Sequence, residues 1–284
     1  MKVGSLCSGI GGLDLGVERA GFGPVRWQVE IDPYARSVLA RHWPRVKRYE
    51  DVREVGAKNL VSVDLLIAGF PCQDISSAGK GAGLEGPKSG LWREVARIAE
   101  ELRPSCAIIE NVASRTRCWL PIVRRDLHLL GYRTRALALS AAEVGAPHLR
   151  KRIFVIAADP ERLELRDEQE WRGWPRNESS QVAAQGAQAH ASALGDALLD
   201  GRPWPEGQGD EGWTEPPAGS WWASEPAVGR VVDGLSGGMD GWRRRSQLRC
   251  LGNAVVPDDA MVAASFLRQY TRPRVNLRTV RGRR

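Results

Sequence analysis

Short apolar runs alternate with helical patterns along residues 1–160. The clearest run, VDLLIAGF at 63–70, has the composition of a buried strand. A chain in which buried strands alternate with helices folds into an α/β structure, with helices covering a parallel sheet. The predicted strands span 2–6, 25–30, 63–68, 105–110, 134–139 and 152–158, and the predicted helices span about 13–20, 33–42, 91–102, 121–130 and 257–269.

The character of the sequence changes between Pro160 and Gly229. This stretch is rich in Gly, Pro, Gln, Ala and Trp, and it carries thirteen acids against five bases, a formal charge of −8. Weak periodicity with many turn formers indicates a loop-rich lobe. We therefore expect a catalytic domain built from 1–159 and 246–270, a lobe at 160–245 and a basic tail at 271–284.

The net charge of +7 comes from the C-terminal end, since residues 268–284 contain seven arginines and no acid. Such an end is either solvated or adds sequence-independent attraction to phosphates. The five cysteines are scattered, with no Cys-x-x-Cys pair, which argues against a disulfide framework or a metal site. No apolar stretch is long enough to cross a bilayer, and no secretion signal is evident, so we expect a cytoplasmic protein.

A glycine-rich turn, LCSGIGGLDLG, follows the first predicted strand. Gly9 and Gly11 permit tight bending and close approach of a ligand, although Asp14 stands where a dinucleotide fingerprint has its third glycine. Taken alone, the turn fits a nucleotide site or a simple connection equally well. Glu30, at the end of the second strand, favours adenosine because an acid there accepts from ribose hydroxyls. Asp51 follows as a candidate acceptor for the adenine amino group.

Three further features carry reactive or charged groups. Cys72 lies in GFPCQDIS just after a predicted strand, and Glu110 lies at the end of the strand in IIENV. Arg150 and Arg152 alternate in PHLRKRIFV, which predicts that both point to the same side of a strand. Each has a structural alternative: a buried thiol, a turn-capping carboxylate and a solvated edge. Strand ends in such sheets face the ligand crevice, which favours a shared pocket.

Taken together, these blocks resemble the DNA cytosine-5 methyltransferases in content and order. The matching blocks are LCSGIGGLDLGVERAG, VEIDPYA, ED, GFPCQDIS, SGLWREVARI, ENV, PHLRKRIFVIA and the terminal LGNAVVP. The resemblance covers nearly the whole chain. It implies a doubly wound, Rossmann-like class I methyltransferase sheet with a small target-recognition lobe inserted before the last block.

The resemblance implies S-adenosylmethionine as cofactor. Because this cofactor has no pyrophosphate to bind at a helix N-terminus, the incomplete glycine fingerprint is expected. The implied cofactor-binding residues are Cys7, Gly9, Gly11, Glu30, Ile31, Asp51, Leu91 and Asn253.

The resemblance also implies roles in catalysis. Cys72 would add to carbon 6 of cytosine and activate carbon 5. Glu110 would hold or protonate ring nitrogen 3, Arg152 would contact the base oxygen, and Arg150 would support the pocket or a phosphate. The target base must leave the duplex to be reached.

Partners follow from the same resemblance. We expect double-stranded DNA as substrate, with Gln73, Ser76, Lys80 and Lys88 as contacts, a monomeric enzyme, no metal and a place in restriction–modification. Three alternatives remain open at this stage: a tRNA cytosine-5 methyltransferase, a catalytically silent DNA-binding relative, and a nicotinamide oxidoreductase suggested by the glycine turn alone. The target sequence is not evident from the chain.

Overall fold

The structure is a computed structural model that describes residues 1–70, 90–113, 116–146, 148–166, 246 and 249–273. It contains a seven-stranded sheet flanked by helices. The strands of this sheet are β1 Val3–Leu6, β2 Val25–Val29, β3 Lys47–Tyr49, β4 Leu65–Gly69, β5 Cys106–Val112, β6 Arg133–Ser140 and β7 Lys151–Ala158. The helices are α1 Gly12–Arg19, α2 Pro33–His42, α3 Leu91–Leu102, α4 Thr116–Leu129 and α5 Pro257–Tyr270.

The sheet order is β3-β2-β1-β4-β5-β7-β6, and the first five strands are parallel. The prediction of a parallel sheet is wrong for β7, which runs antiparallel to both β5 and β6. The connection 141–150 between β6 and β7 contains the 3-10 turn Ala141–Val144 and is too short for a crossover. As a result, the first residues of β7 lie at the same edge of the sheet as the last residues of β5.

Apolar helix faces cover both sides of this sheet, as expected for a doubly wound fold. One core contains the buried side chains of α3 and α4, including Trp92, Ile98 and Trp119. The opposite core contains α1 and α5. These two helices pack so closely that a Cβ placed on Gly16 would come within 2.4 Å of the Ala260 Cβ, so a glycine is required there. The two cores together confirm the predicted α/β class.

A second, two-stranded sheet pairs β8, Leu163–Leu165, with β9, Thr271–Pro273, in antiparallel register. β3, β8 and β9 are too short to stand out in the sequence. The ladder joins residues assigned above to the lobe with residues assigned to the tail, and the Leu163 side chain is buried against the α1–α5 core. The rest of the lobe and tail lie outside the described residues, so the domain limits stay a prediction.

No helix in the described part of the chain is long and apolar enough to span a membrane.

Candidate active site

The glycine turn connects the end of β1 to α1 and needs left-handed backbone. Gly9 has φ +55° and Gly11 has φ +88°, while Cys7 adopts φ +51°. The turn is held in place because the Ser8 amide donates to the Val29 carbonyl at 3.1 Å and the Gly11 amide donates to the Ser8 carbonyl at 2.9 Å. A Cβ placed on Gly9 would meet no atom of the described residues within 4 Å, so these residues leave space above the turn.

Glu30 follows β2 and organises the same region. Its Oε2 accepts a hydrogen bond from the Gly9 amide at 2.8 Å, and its Oε1 accepts from the Asp32 amide at 2.9 Å. Burial raises the pKa of Glu30, and these two hydrogen bonds oppose that rise. The carboxylate is therefore fixed beside the open space over Gly9, with one lone pair on each oxygen still able to accept.

The other predicted cofactor residues surround this carboxylate. Burial, together with the charges of Glu30 and Asp51, raises the pKa of the Cys7 thiol to about 12, so Cys7 is an uncharged lining residue. Asp51 caps the 3-10 turn Val52–Glu54, and the hydrogen bond from Arg53 lowers the pKa of Asp51. Ile31 is 62% exposed and presents an apolar surface next to Glu30.

The last of the matching sequence blocks returns to the glycine turn from the far end of the chain. Asn253, Ala254 and Val255 line a cleft together with residues 5–10, Gly12, Leu13, Gly69 and Glu110. We call this the cofactor cleft. Leu91, the first residue of α3, is half-buried and is not among its lining residues.

Glu110 lies at the rim of the cofactor cleft, near the end of β5. Its side chain is 9% exposed and forms an ion pair with Arg152, whose Nε lies 3.0 Å from Oε1. Gly69 of β4 pairs with Glu110 in register, and a Cβ there would come within 3.3 Å of Oε2. Burial raises the pKa of Glu110, and the charges of Arg152 and Arg150 oppose this. The Glu110 carboxyl therefore holds a proton more readily than an ordinary glutamate does.

Arg152 is brought to Glu110 by the antiparallel register of β7, in which Arg152 lies opposite Val112. Its Nη1 donates to the Lys151 carbonyl at 2.9 Å and its Nε faces Glu110. Within the described part of the chain, Nη2 has no hydrogen-bond partner in the protein. That nitrogen remains available to an incoming acceptor.

Arg150 lies just before β7 and contacts the opposite end of the site. Its Nη2 donates to the Gly252 carbonyl at 2.8 Å and to the Ala254 carbonyl. It also lies close enough to Glu110 for its charge to act on that carboxyl. The hydrogen bonds of Arg150 reach the 252–254 carbonyls while Arg152 pairs with Glu110, and the charges of both arginines act on Glu110.

Sequence reasoning overlooked a buried polar network beneath the glycine turn. Asp14 is fully buried and accepts from Ser5 Oγ and Gln28 Nε2, each at 2.9 Å. Ser8 Oγ donates to Ser5 Oγ at 2.8 Å. Asp14 therefore replaces the third glycine with a polar link between α1, β1 and β2. The available signal was an acid on the apolar face of a predicted helix.

The structure brings the predicted residues Cys7, Gly9, Glu30, Asn253, Glu110, Arg150 and Arg152 to one edge of the sheet, with Gly11, Ile31 and Asp51 adjoining it. Cys72 and the predicted DNA contacts Gln73, Ser76, Lys80 and Lys88 lie outside the described residues. In the part of the chain that the structure describes, no group of three or more His, Cys, Asp or Glu side chains could hold a metal ion.

Comparison with known proteins shows that the chain is similar to Type II methyltransferases. The Type II methyltransferase M2.BsuMI of Bacillus subtilis is 37% identical over 166 residues, covering 56% of this chain and 42% of the relative. The Type II methyltransferase M.HhaI of Haemophilus parahaemolyticus is 35% identical over 155 residues, covering 53% and 47%. The chain thus spans about half the length of the curated relatives it matches.

A solved structure of an E. coli prophage protein, assigned as a DNA modification methyltransferase, is 28% identical with a TM-score of 0.49, covering 66% of this chain and 54% of that one. The model of the C-5 cytosine-specific DNA methylase family matches residues 1–197, well over half of the chain. This family match confirms the resemblance inferred from the ordered sequence blocks. The chain belongs to the C-5 cytosine-specific DNA methylase family.

Proposed function

We propose that the protein transfers a methyl group from S-adenosylmethionine to carbon 5 of a cytosine flipped out of double-stranded DNA. The observation that carries this proposal is the buried Glu110–Arg152 ion pair at the rim of the cofactor cleft. A proton-exchanging carboxyl beside a fixed guanidinium suits a pyrimidine ring, which presents a ring nitrogen next to a carbonyl oxygen.

The cofactor cleft fits S-adenosylmethionine on two observations. The described residues leave space over Gly9 on the side where a Cβ would project, so backbone and ligand can approach closely. Glu30 is held by the Gly9 and Asp32 amides while keeping acceptor capacity for ribose hydroxyls. We assign the ribose to Glu30, the adenine side to Ile31 and Asp51, and the remaining contacts to Cys7, Gly9, Gly11, Leu91 and Asn253. When bound, the cofactor supplies the methyl group.

The chain's own residues prepare the target base. The Cys72 thiolate would form a bond to carbon 6, while the Glu110 carboxyl gives its proton to ring nitrogen 3. The π electrons of the carbon 5–carbon 6 double bond would move through carbon 4 towards the protonated ring nitrogen 3. The ring then contains an enamine, in which carbon 5 is nucleophilic. Arg152 would hold the base oxygen through Nη2 and keep Glu110 in place through Nε. After methylation, a water molecule would take the carbon 5 proton, and the electron pair of that bond would re-form the carbon 5–carbon 6 double bond as the thiolate departs. Ring nitrogen 3 would return its proton to the Glu110 carboxylate, which restores the aromatic ring and the enzyme.

A trapping experiment tests this proposal without knowledge of the target sequence. A long duplex is synthesised with 5-fluorocytosine in place of cytosine and incubated with the protein and S-adenosylmethionine. Fluorine cannot leave carbon 5 as a proton does, so the thiolate stays attached. We expect an adduct that survives denaturing electrophoresis, that is absent in Cys72→Ala and that persists in the matched control Cys118→Ala, which alters an exposed thiol of α4.

A transcript of the same sequence containing 5-fluorocytosine provides the RNA arm, and we expect no adduct with it. An adduct formed with RNA but not with DNA would overturn the substrate assignment. An adduct that persists in Cys72→Ala would overturn the nucleophile. Bisulfite sequencing of DNA from cells expressing the protein then identifies the methylated site.

A further inference from the structure

Residues 253–255, from the C-terminal part of the chain, line one side of the cofactor cleft, and Arg150, just before β7, donates hydrogen bonds to the segment 252–255. We propose that Arg150 is a positioning residue that fixes this segment and thereby controls cofactor affinity, instead of binding a DNA phosphate. The inference rests on the function proposed above, because it names what one residue does for the cofactor cleft.

The contacts of Arg150 support this role. Its Nη2 donates to the carbonyls of Gly252 and Ala254, which flank Asn253, a lining residue of the cofactor cleft. Residues 251–253 are exposed to solvent at the end of a helical turn over 249–253, and the Ala254 amide donates to the Leu251 carbonyl at 3.2 Å. Hydrogen bonds from a charged donor are stronger than those between neutral groups, and two of them on neighbouring peptide groups fix a short segment.

The backbone before β7 is held by hydrogen bonds that direct the Arg150 side chain towards the 252–255 segment. The Leu149 carbonyl accepts from the Ala141 amide at 2.9 Å and from Ser140 Oγ at 2.5 Å. Glu143 completes a capping box by accepting from the Ser140 amide at 2.7 Å. With Leu149 held in this way, Arg150 adopts φ +32°, a left-handed conformation that a non-glycine residue keeps only where surrounding contacts impose it.

Arg150 and Arg152 therefore have different proposed roles at one edge of the sheet. Arg152 pairs with Glu110, where the target base is proposed to bind. Arg150 holds the opposite, cofactor side, while its charge also acts on Glu110. Loss of Arg150 should thus loosen the cofactor cleft more than it slows the chemical step.

The test compares Arg150→Gln with the parent and with Arg93→Gln, a control on the exposed surface of α3. Affinity for S-adenosylmethionine is measured by calorimetry without DNA, and KM and kcat are measured by tritium transfer to unmethylated DNA. We expect Arg150→Gln to raise the cofactor Kd and KM about tenfold, with kcat at saturating cofactor changed less than about threefold. Arg93→Gln should match the parent.

Arg150→Lys provides a second variant, which keeps the charge but replaces the planar fork with one ammonium. We expect it to recover part of the cofactor affinity, with a Kd about threefold above the parent. If Arg150→Gln fails to fold, the cofactor Kd of Arg150→Lys still tests the positioning role of Arg150.

Two results would overturn the positioning role: an unchanged cofactor Kd with a raised KM for DNA, which indicates a phosphate contact, or an unchanged Kd with a large loss of kcat, which indicates contact with the base. If the parent itself binds no S-adenosylmethionine, the proposed function fails. If the parent binds it and Arg150→Gln binds it equally well, only the role of Arg150 fails.

Discussion

Two buried carboxylates have different kinds of partner: the one beneath the glycine turn has neutral donors, and the one at the rim of the cofactor cleft has a cation. Asp14 accepts from the neutral donors Ser5 and Gln28, deep between α1 and the sheet. Glu110 pairs with the cation Arg152 at the edge of the sheet. Burial raises the pKa of both groups, to about 6 for Asp14.

The difference lies in what each carboxyl can do when it changes charge. At Asp14, the side chains that oppose the effect of burial on the pKa are the neutral donors Gln28 and Ser5, so we expect a change in its charge to act on folding. Around Glu110, the side chains that oppose the effect of burial on the pKa are the cations Arg152 and Arg150, and the carboxyl lines the cofactor cleft. We therefore expect the carboxyl to serve structure at Asp14 and the proposed proton transfer at Glu110.

Replacing Glu110 tests the rim most severely. Glu110→Gln keeps the shape of the side chain but cannot give a proton to ring nitrogen 3, and it breaks the ion pair with Arg152. We expect kcat for DNA methylation to fall about 10³-fold, roughly 4 kcal/mol of transition-state stabilisation. Tritium transfer from S-adenosylmethionine measures this fall.

Cofactor affinity should stay within about threefold of the parent in Glu110→Gln, because the carboxyl is assigned to the base. Glu94→Gln is the matched control, since Glu94 pairs with Arg97 on α3, and we expect it to methylate DNA normally. If Glu110→Gln works as fast as the parent, the carboxyl has no part in the reaction.

The Asp14 network is tested by the pH dependence of stability. A folded-state pKa of about 6 lies above the ordinary value of 3.8, so the folded protein binds more protons between these two values and loses stability as pH rises through them. Asp14→Asn carries no charge at any pH. We therefore expect its free energy of unfolding, relative to the parent, to increase by roughly 3 kcal/mol from pH 3.5 to pH 8.

Urea unfolding at these two pH values measures the difference. Gln28 can adapt to the Asp14→Asn substitution, because its Oε1 is buried without a hydrogen-bond partner among the described residues. After the Gln28 amide rotates, that oxygen can accept from the amide group introduced at position 14. A difference that does not change with pH would mean that Asp14 has the same pKa in the folded and the unfolded protein.

Sequence reasoning succeeded where one element carries its own signal. The apolar runs predicted β1, β2, β4 and β5 within a few residues, and amphipathic spacing predicted α3 and α5. It failed where strand direction matters, because β7 has the same composition in either orientation. Its antiparallel course depends on the short 141–150 connection, and that course brings Arg152 to Glu110.

The candidate site shows the same limit. Motif order indicated Glu30, Glu110 and the two arginines, since each lies at a strand end in the sequence. The contact between Arg150 and the 252–255 segment joins residues about a hundred positions apart in the sequence. It also depends on the left-handed backbone of Arg150, which an arginine in a sequence does not predict. The role of Asp14 was hidden for a related reason, because its donors Ser5 and Gln28 lie on two other elements.

A third buried acid sharpens the comparison with the smallest expected effect. Asp259, in the first turn of α5, is fully buried, and in the described part of the chain neither of its oxygens has a hydrogen-bond partner. Burial raises its pKa well above the ordinary range, with the charges of Glu143 and Asp258 adding to the rise. Unlike Asp14, it gains nothing from neighbouring donors.

The same substitution should therefore have opposite effects at the two positions. Asp14→Ala removes the acceptor of Ser5 and Gln28 and should lower the free energy of unfolding by about 2 kcal/mol. Asp259→Ala removes an unsatisfied carboxyl, at a small loss of favourable charge at the helix N-terminus, and should raise it by about 1 kcal/mol at pH 8. Urea unfolding measures both. If Asp259→Ala is instead destabilising by a similar amount, the carboxyl has a partner in the folded protein. Arg152 is the first candidate for that partner, because its charge opposes the rise in the pKa of Asp259.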